Sequence, residues 1–81
     1  YRVEIEFVRM LEEYGLISIR YEETKGYIQR DDVAQLERFS RMYYDLNINV
    51  PGIDALEHLL EKIRSLQEEA EALRSRLGIY E

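Results

Sequence analysis

The sequence predicts a mainly α fold, in which a helix, a two-stranded wing and a second helix form a small head that a long C-terminal coiled-coil helix follows. Three observations predict it. Apolar residues recur at helical spacing in three segments, two short alternating stretches flank a polar turn, and a heptad seam runs through the last thirty residues. We expect a head over residues 1–48, a dimerisation helix over 49–78 and a tail over 79–81.

The first helix is predicted over residues 4–14, because its apolar side chains cluster on one side at 100° per residue. Gly15 is well placed as the left-handed residue that ends this helix. The apolar arc needs something to pack on, so we expect the natural protein to carry a preceding segment. The residues of the arc are Phe7, Val8, Met10, Leu11 and Tyr14.

A β-hairpin is predicted next. Residues 16–21 alternate, with Ile17, Ile19 and Tyr21 on one face, and a polar turn over 22–26 leads to a return strand over 27–29. A two-stranded hairpin is marginal by itself, so we expect it to lean on the helices.

The second helix is predicted over residues 32–46. Asp31 and Asp32 are candidate N-caps, and Gln35 stands three residues beyond Asp32 as in a capping box. The expected buried side is Val33, Leu36, Phe39, Tyr43 and Leu46. The expected outer side is Glu37, Arg38, Arg41, Tyr44 and Asp45.

The long helix follows a break over residues 47–49. Asn49 is its predicted N-cap, Pro51 fits the first turn, and Gly52 suggests a close backbone approach. The helix is predicted to end at Gly78, which gives it a length of about 42 Å. So small a head cannot cover a helix of that length.

A heptad seam therefore predicts a homodimer through the C-terminal helix. The seam residues alternate at spacings of four and three, and too little other chain remains to cover them. The sense of the pairing, parallel or antiparallel, stays open. The predicted dimer interface consists of Leu59, Ile63, Leu66, Ala70, Leu73 and Leu77.

Composition argues for a binding protein and against an enzyme. The net charge is −6, cysteine is absent and a single histidine, His58, stands between acidic residues without further metal ligands nearby. No serine has a histidine partner at plausible reach, and no carboxylate pair has a pocket to perturb its pKa. We therefore predict no catalytic residue, no metal and no cofactor. No apolar run could enter a membrane, and we expect a cytoplasmic location.

The order of elements resembles the MerR-type winged-helix family, in a truncated form that lacks the family's leading strand and first helix. Residues 4–78 carry the resemblance. The segment from Arg41 to Asp54, Arg-Met-Tyr-Tyr-Asp-Leu-Asn-Ile-Asn-Val-Pro-Gly-Ile-Asp, is similar to the helix–break–helix segment of the chaperone-modulator branch, CbpM. The MerR-type relatives pair their long helices antiparallel, which the resemblance implies here.

Departures from the DNA-binding members make DNA an improbable partner. Those members carry Arg-Tyr-Tyr-Glu where this chain has Arg-Met-Leu-Glu over residues 9–12, and Gly-Tyr-Arg in the wing where it has Gly-Tyr-Ile over 26–28. The outer face of the would-be recognition helix has one arginine among Glu6, Glu12 and Glu13. Carboxylates at that face would repel a phosphate backbone.

The resemblance implies a chaperone modulator that binds the J-domain of a DnaJ-like, CbpA-type co-chaperone and inhibits its action with Hsp70. An acidic dimer would compete for the basic helix that such J-domains present. Clustered charge and a tyrosine expected to be exposed predict the partner-binding surface as Arg41, Tyr44, Asp45, Asp54 and Glu57.

Two alternatives remain. A MerR-type transcription regulator would need a basic, DNA-facing side formed by Arg2, Arg9, Arg20, Lys25 and Arg30. A plain dimerisation module without activity of its own is the other. The sequence leaves open which partner binds, in what stoichiometry it binds, and whether weak DNA binding survives.

Overall fold

The computed structural model describes residues 4–78. The order helix, two-stranded antiparallel hairpin, helix and long helix confirms the predicted fold class. The elements are α1 (Ile5–Glu13), β1 (Ile19–Glu22), β2 (Lys25–Ile28), α2 (Arg30–Ser40), a π-helical turn (Arg41–Asp45) and α3 (Val50–Leu77).

The end of α1 forms as predicted. Gly15 adopts a left-handed φ of +73°. The Gly15 N–H donates to the Glu12 carbonyl at 3.0 Å, and the Leu16 N–H donates to the Leu11 carbonyl at 2.9 Å. This pair of bonds is a Schellman motif, which satisfies carbonyls that the helix end leaves open. The chain leaves α1 pointing back toward the core, where Ile17 is buried.

The hairpin is shorter than predicted at its start. The prediction of a strand from residue 16 is wrong, because residues 16 and 17 complete the end of α1 and pairing begins at Ile19, opposite Ile28. The pairing ends with Glu22 opposite Lys25, so two residues form the turn. Glu23, the first of them, has a φ of +57°, as the first position of a two-residue hairpin turn often requires.

The start of α2 corrects the predicted capping box. The N-cap is Gln29, without a side-chain cap bond, and Asp31 and Asp32 lie in the first turn of the helix. The Asp32 carboxylate instead accepts a hydrogen bond at 3.3 Å from the Ser18 N–H, next to the wing. Carboxylates in a first turn still interact favourably with the helix dipole.

The C-terminal end of the second helix departs from α geometry. From Arg41 to Asp45 the turn is π-helical, and the Leu46 N–H donates to the Arg41 carbonyl, five residues back, at 3.2 Å. A π-turn takes more residues than an α-turn, so side chains beyond it fall out of phase. The predicted burial of Leu46 is wrong for this reason, and Leu46 is 65% exposed. Val33, in the first turn of α2, is likewise exposed rather than buried.

One hydrophobic core holds the head together. It gathers side chains from α1, the loop before the wing, α2 and the first turn of α3, and residues such as Tyr43 and Ile48 pack around it. The first residues of α3 are therefore part of the head. The buried members of the core are Phe7, Leu11, Ile17, Phe39, Val50 and Ile53.

The start of α3 confirms the predicted cap. The Gly52 N–H donates to the Asn49 side-chain oxygen at 2.8 Å, and Pro51 lies in the first turn. A Cβ on Gly52 would stand 2.9 Å from Cγ2 of Ile48, which explains the glycine. The helix ends at Gly78, whose φ is +72°. From His58 to Gly78 every residue is exposed, so most of α3 projects from the head.

Candidate protein-interaction surfaces

The predicted seam is an open apolar stripe on α3. Leu59, Ile63, Leu66 and Leu73 are 56%, 50%, 54% and 53% exposed, and Ala70 and Leu77 are exposed as well. No described residue of this chain covers them. Apolar side chains at heptad spacing, open along one side of a helix, are the surface that a second helix covers in a coiled coil. We define these six residues as the α3 seam.

Tyr44 does not face solvent as predicted. It is half-buried, its ring lies edge-on to those of Phe7 and Tyr43 at centroid distances of 5.5 and 4.9 Å, and the Phe7 and Tyr43 rings stack at 4.4 Å. Its hydroxyl accepts a hydrogen bond at 3.2 Å from the Glu4 N–H. Tyr44 therefore ties the start of α1 to the π-helical turn.

The other residues of the predicted partner surface divide between two places. Arg41 and Asp45 are exposed on the π-helical turn, whereas Asp54 and Glu57 are half-buried in the first turns of α3. Tyr44 borders a groove with Tyr43, Asn47, Ile48 and Asn49. Asp54 and Glu57 border a different groove, which Tyr14, Gly15, Leu16, His58 and Glu61 complete.

An interhelical ion pair links the head to the long helix. The guanidinium of Arg38 donates to both carboxylate oxygens of Glu57, with Nη1 2.9 Å from Oε2 and Nη2 in close contact with Oε1. Gln35 accepts two further bonds from Arg38 at 2.8 and 3.2 Å. The guanidinium carbon also lies 5.2 Å from the centre of the Phe39 ring. We name this arrangement the Arg38–Glu57 brace.

The sequence prediction missed this brace, because it placed Arg38 on the outer side of a continuous helix. The side chains of Arg38 and Glu57 are only 34% and 21% exposed. Bidentate arginine–carboxylate geometry at partial burial is stronger than a surface pair. The available signal was that Arg38 lies only about 100° around the helix from the buried Phe39, with an acidic residue on the next helix. The packing angle of the two helices was not predictable.

The wing is tied to α1 by a tyrosine. The Tyr21 hydroxyl donates to Oε1 of Glu12 at 3.1 Å. This hydrogen bond raises the pKa of Tyr21 above its usual 10.0, and desolvation and the Glu12 charge act in the same direction, while Arg9 opposes them. The neutral hydroxyl is the form that the carboxylate binds. This hydrogen bond connects β1 of the wing to α1, the helix that would be the recognition helix of a DNA-binding protein.

The basic residues of the DNA-binding alternative are spread over the head. Arg9 lies on α1, Arg20 and Lys25 on the two strands and Arg30 at the start of α2, all of them exposed. Arg20 lies 3.5 Å from the Glu22 carboxylate. Arg2 lies outside the described residues. The described basic residues of this set share the surface of the head with acidic neighbours.

The described residues include neither a metal site nor a membrane-spanning helix. Among residues 4–78, no group of three or more histidine or acidic side chains is arranged to hold a metal ion. His58 has Nδ1 2.8 Å from the Asp54 carbonyl oxygen, one turn back on α3. No described helix combines the length and apolar character needed to cross a membrane.

Comparison with protein families identifies the fold. The family described as MerR HTH family regulatory protein matches residues 1–75. The chain belongs to the MerR HTH family. No curated protein and no solved structure matches it. The family and the observed order of elements agree with the MerR-like part of the resemblance, whereas the chaperone-modulator branch stays a prediction.

Proposed function

We propose that the protein is a cytoplasmic, homodimeric chaperone modulator of the CbpM type, which binds the J-domain of a DnaJ-like co-chaperone and inhibits its work with Hsp70. Membership of the MerR HTH family supports a regulatory role. The identity of the partner rests on the resemblance of residues 41–54 to the chaperone-modulator branch.

The charge of α1 is the observation that carries this proposal. Over residues 4–14 the helix and its N-cap hold four carboxylates against one basic residue, Arg9. Glu6 and Glu13 are exposed, and Glu12 is held by the wing tyrosine. A helix that binds in a major groove needs donors and cations near phosphates. Such an acidic helix favours a basic protein partner over a duplex.

The open seam supports the dimeric part of the proposal. A homodimer would cover the α3 seam and leave two acidic heads free at its ends or sides. Each head would then present the residues around Arg41 and Asp54 to a partner. Complementary charge speeds association and selects the partner more than it sets affinity.

Calorimetry tests the proposal. A J-domain with a basic surface helix is titrated into the full chain, and we expect saturable heat that weakens as salt is raised. The variant Asp54→Asn removes an acidic group from the predicted surface and should weaken binding to the basic helix, whereas Glu68→Gln, far along α3 from the head, should leave it unchanged. If the sample in the calorimeter is a folded dimer and no heat appears at protein concentrations of tens of micromolar, J-domain binding is refuted.

The description of the family keeps one alternative, a MerR-type transcription regulator. In that case a palindromic duplex should shift in a gel at low salt, and Arg9→Gln together with Arg20→Gln should reduce the salt dependence of binding. If the duplex shifts in the gel and titration of the J-domain gives no heat, the transcription regulator replaces the chaperone modulator as the favoured function.

A further inference from the structure

We infer that the Arg38–Glu57 brace fixes the angle at which α3 leaves the head, so that the head and the dimerisation helix move as one body. The inference concerns the mechanics of the chain and holds whichever partner the head binds. It assigns to Arg38 and Glu57 a positioning role, distinct from the partner contact that the sequence predicted for Glu57.

The brace stands where α3 passes from the core into solvent. Val50 and Ile53 are fully buried in the head. Within the described part of the chain, Glu57 is the last residue of α3 that bonds to the head, and every residue from His58 to Gly78 is exposed. A helix held only by its first turn could pivot about that turn. A second attachment one turn further along removes that freedom.

The other end of the brace is anchored in the core. Arg38 precedes Phe39, which is 2% exposed, and its guanidinium lies over the Phe39 ring. Gln35, one turn back on α2, accepts two hydrogen bonds from the same guanidinium. The planar group is therefore held in place before it meets Glu57, which reduces the entropy lost in the pairing.

The chain supplies a matched control for the chemistry of the pair. Arg64 donates to the Glu61 carboxylate at 3.1 Å, but both residues belong to α3 and their side chains are 67% and 73% exposed. This pair cannot bear on the angle between the head and α3. Loss of Arg64–Glu61 should therefore leave that angle unchanged, whereas loss of Arg38–Glu57 should not.

Spin-label distances test the inference on the full chain. Because the sequence has no cysteine, Glu37→Cys on α2 and Ser65→Cys on α3 place two labels uniquely, and both sites are exposed. A large excess of unlabelled chain ensures that only distances within one chain are recorded. In this background we expect a single narrow distribution.

Variants then separate the brace from its control. Arg38→Met and Glu57→Gln should broaden or shift the distribution, the exchange Arg38→Glu with Glu57→Arg should restore a narrow one, and Arg64→Met should change nothing. A double-mutant cycle should show coupling of about fivefold in the unfolding equilibrium. If Arg38→Met fails to fold, Glu57→Gln, which keeps shape and loses charge, decides the matter.

Three results would overturn the inference. One is a broad distribution in the parent labelled chain. Another is an unchanged distribution in folded Glu57→Gln. The third is an equal response to Arg64→Met, which would assign the effect to charge on α3 in general.

Discussion

Truncation of Leu66 at the centre of the α3 seam should weaken the proposed homodimer in a calculable way. A leucine that becomes fully buried contributes about 1.5–3 kcal/mol. Leu66 is 54% exposed, so pairing can still bury about half of its surface. Leu66→Ala should therefore cost roughly 1 kcal/mol per copy and roughly 2 kcal/mol per dimer. That sum corresponds to a dimer Kd that rises about thirtyfold.

Sedimentation equilibrium over a range of concentrations measures this change. The wild-type chain should approach the mass of two chains, and Leu66→Ala should do so only at higher concentration. Glu68→Ala, on the opposite side of α3, should keep the wild-type Kd while it makes a comparable truncation. A single-chain mass for the wild type at high concentration would refute the reasoning, as would equal Kd values for Leu66→Ala and Glu68→Ala.

Three further predictions concern the head. Asn49→Ala removes the cap of α3 and should lower the free energy of unfolding by about 1 kcal/mol in urea denaturation. Gly52→Ala brings a Cβ within 2.9 Å of Ile48 and 3.0 Å of the cap oxygen; the crowding should outweigh the helix propensity of alanine and cost about 1 kcal/mol. Glu12→Gln should lower the pKa of Tyr21 toward 10.0 in an NMR titration, because the carboxylate that favours the neutral hydroxyl is gone.

Two of these predictions have a control variant, and the third has an outcome that would contradict it. Asn49→Ser keeps a side-chain acceptor and should retain most of the stability. Glu13→Gln removes a neighbouring charge without touching the Tyr21–Glu12 bond and should shift the pKa of Tyr21 less than Glu12→Gln does. A gain of stability in Gly52→Ala would contradict the prediction for this position, because it would show that the Ile48 side chain moves aside at little cost.

The raised pKa of Tyr21 also fixes a direction for stability against pH. The folded chain holds the Tyr21 proton more tightly than the unfolded chain, so this contribution is complete below pH 10.0 and is lost as the pH rises through the folded value. In Glu12→Gln the alkaline loss should be smaller. Urea denaturation on both sides of pH 10.0 measures the difference.

Local chemistry made three helix ends predictable, namely the end of α1 and both ends of α3. Gly15 and Gly78 have no Cβ to oppose a left-handed φ, and both adopt one at a helix end. Asn49 carries a short side-chain acceptor before Pro51 and bonds to the Gly52 N–H. These features depend on neighbours within a few residues, which the sequence displays. The order of elements followed from them and from the apolar periodicity.

Features that depend on helical phase were not predictable in the same way. The prediction extended one α-helix over residues 32–46, and the π-helical turn at Arg41–Asp45 rotates whatever follows it. Tyr44 consequently packs on Phe7, while Leu46 is exposed. The extra residue in that turn has no marker in the local sequence. The turn coincides with a tertiary feature, the aromatic cluster of Phe7, Tyr43 and Tyr44.

The charge on the surface of α1 carries the argument from the family's fold to the proposed function. The MerR HTH fold fixes where the would-be recognition helix stands, but its side chains decide what it can meet. Each phosphate contact requires a donor or cation, and α1 supplies Arg9 alone against Glu6, Glu12 and Glu13. The wing compensates little, because Arg20 lies 3.5 Å from the Glu22 carboxylate and Lys25 stands opposite the same Glu22 in the hairpin. We therefore propose that these carboxylates favour a basic protein partner at the position where a DNA-binding protein would present cations.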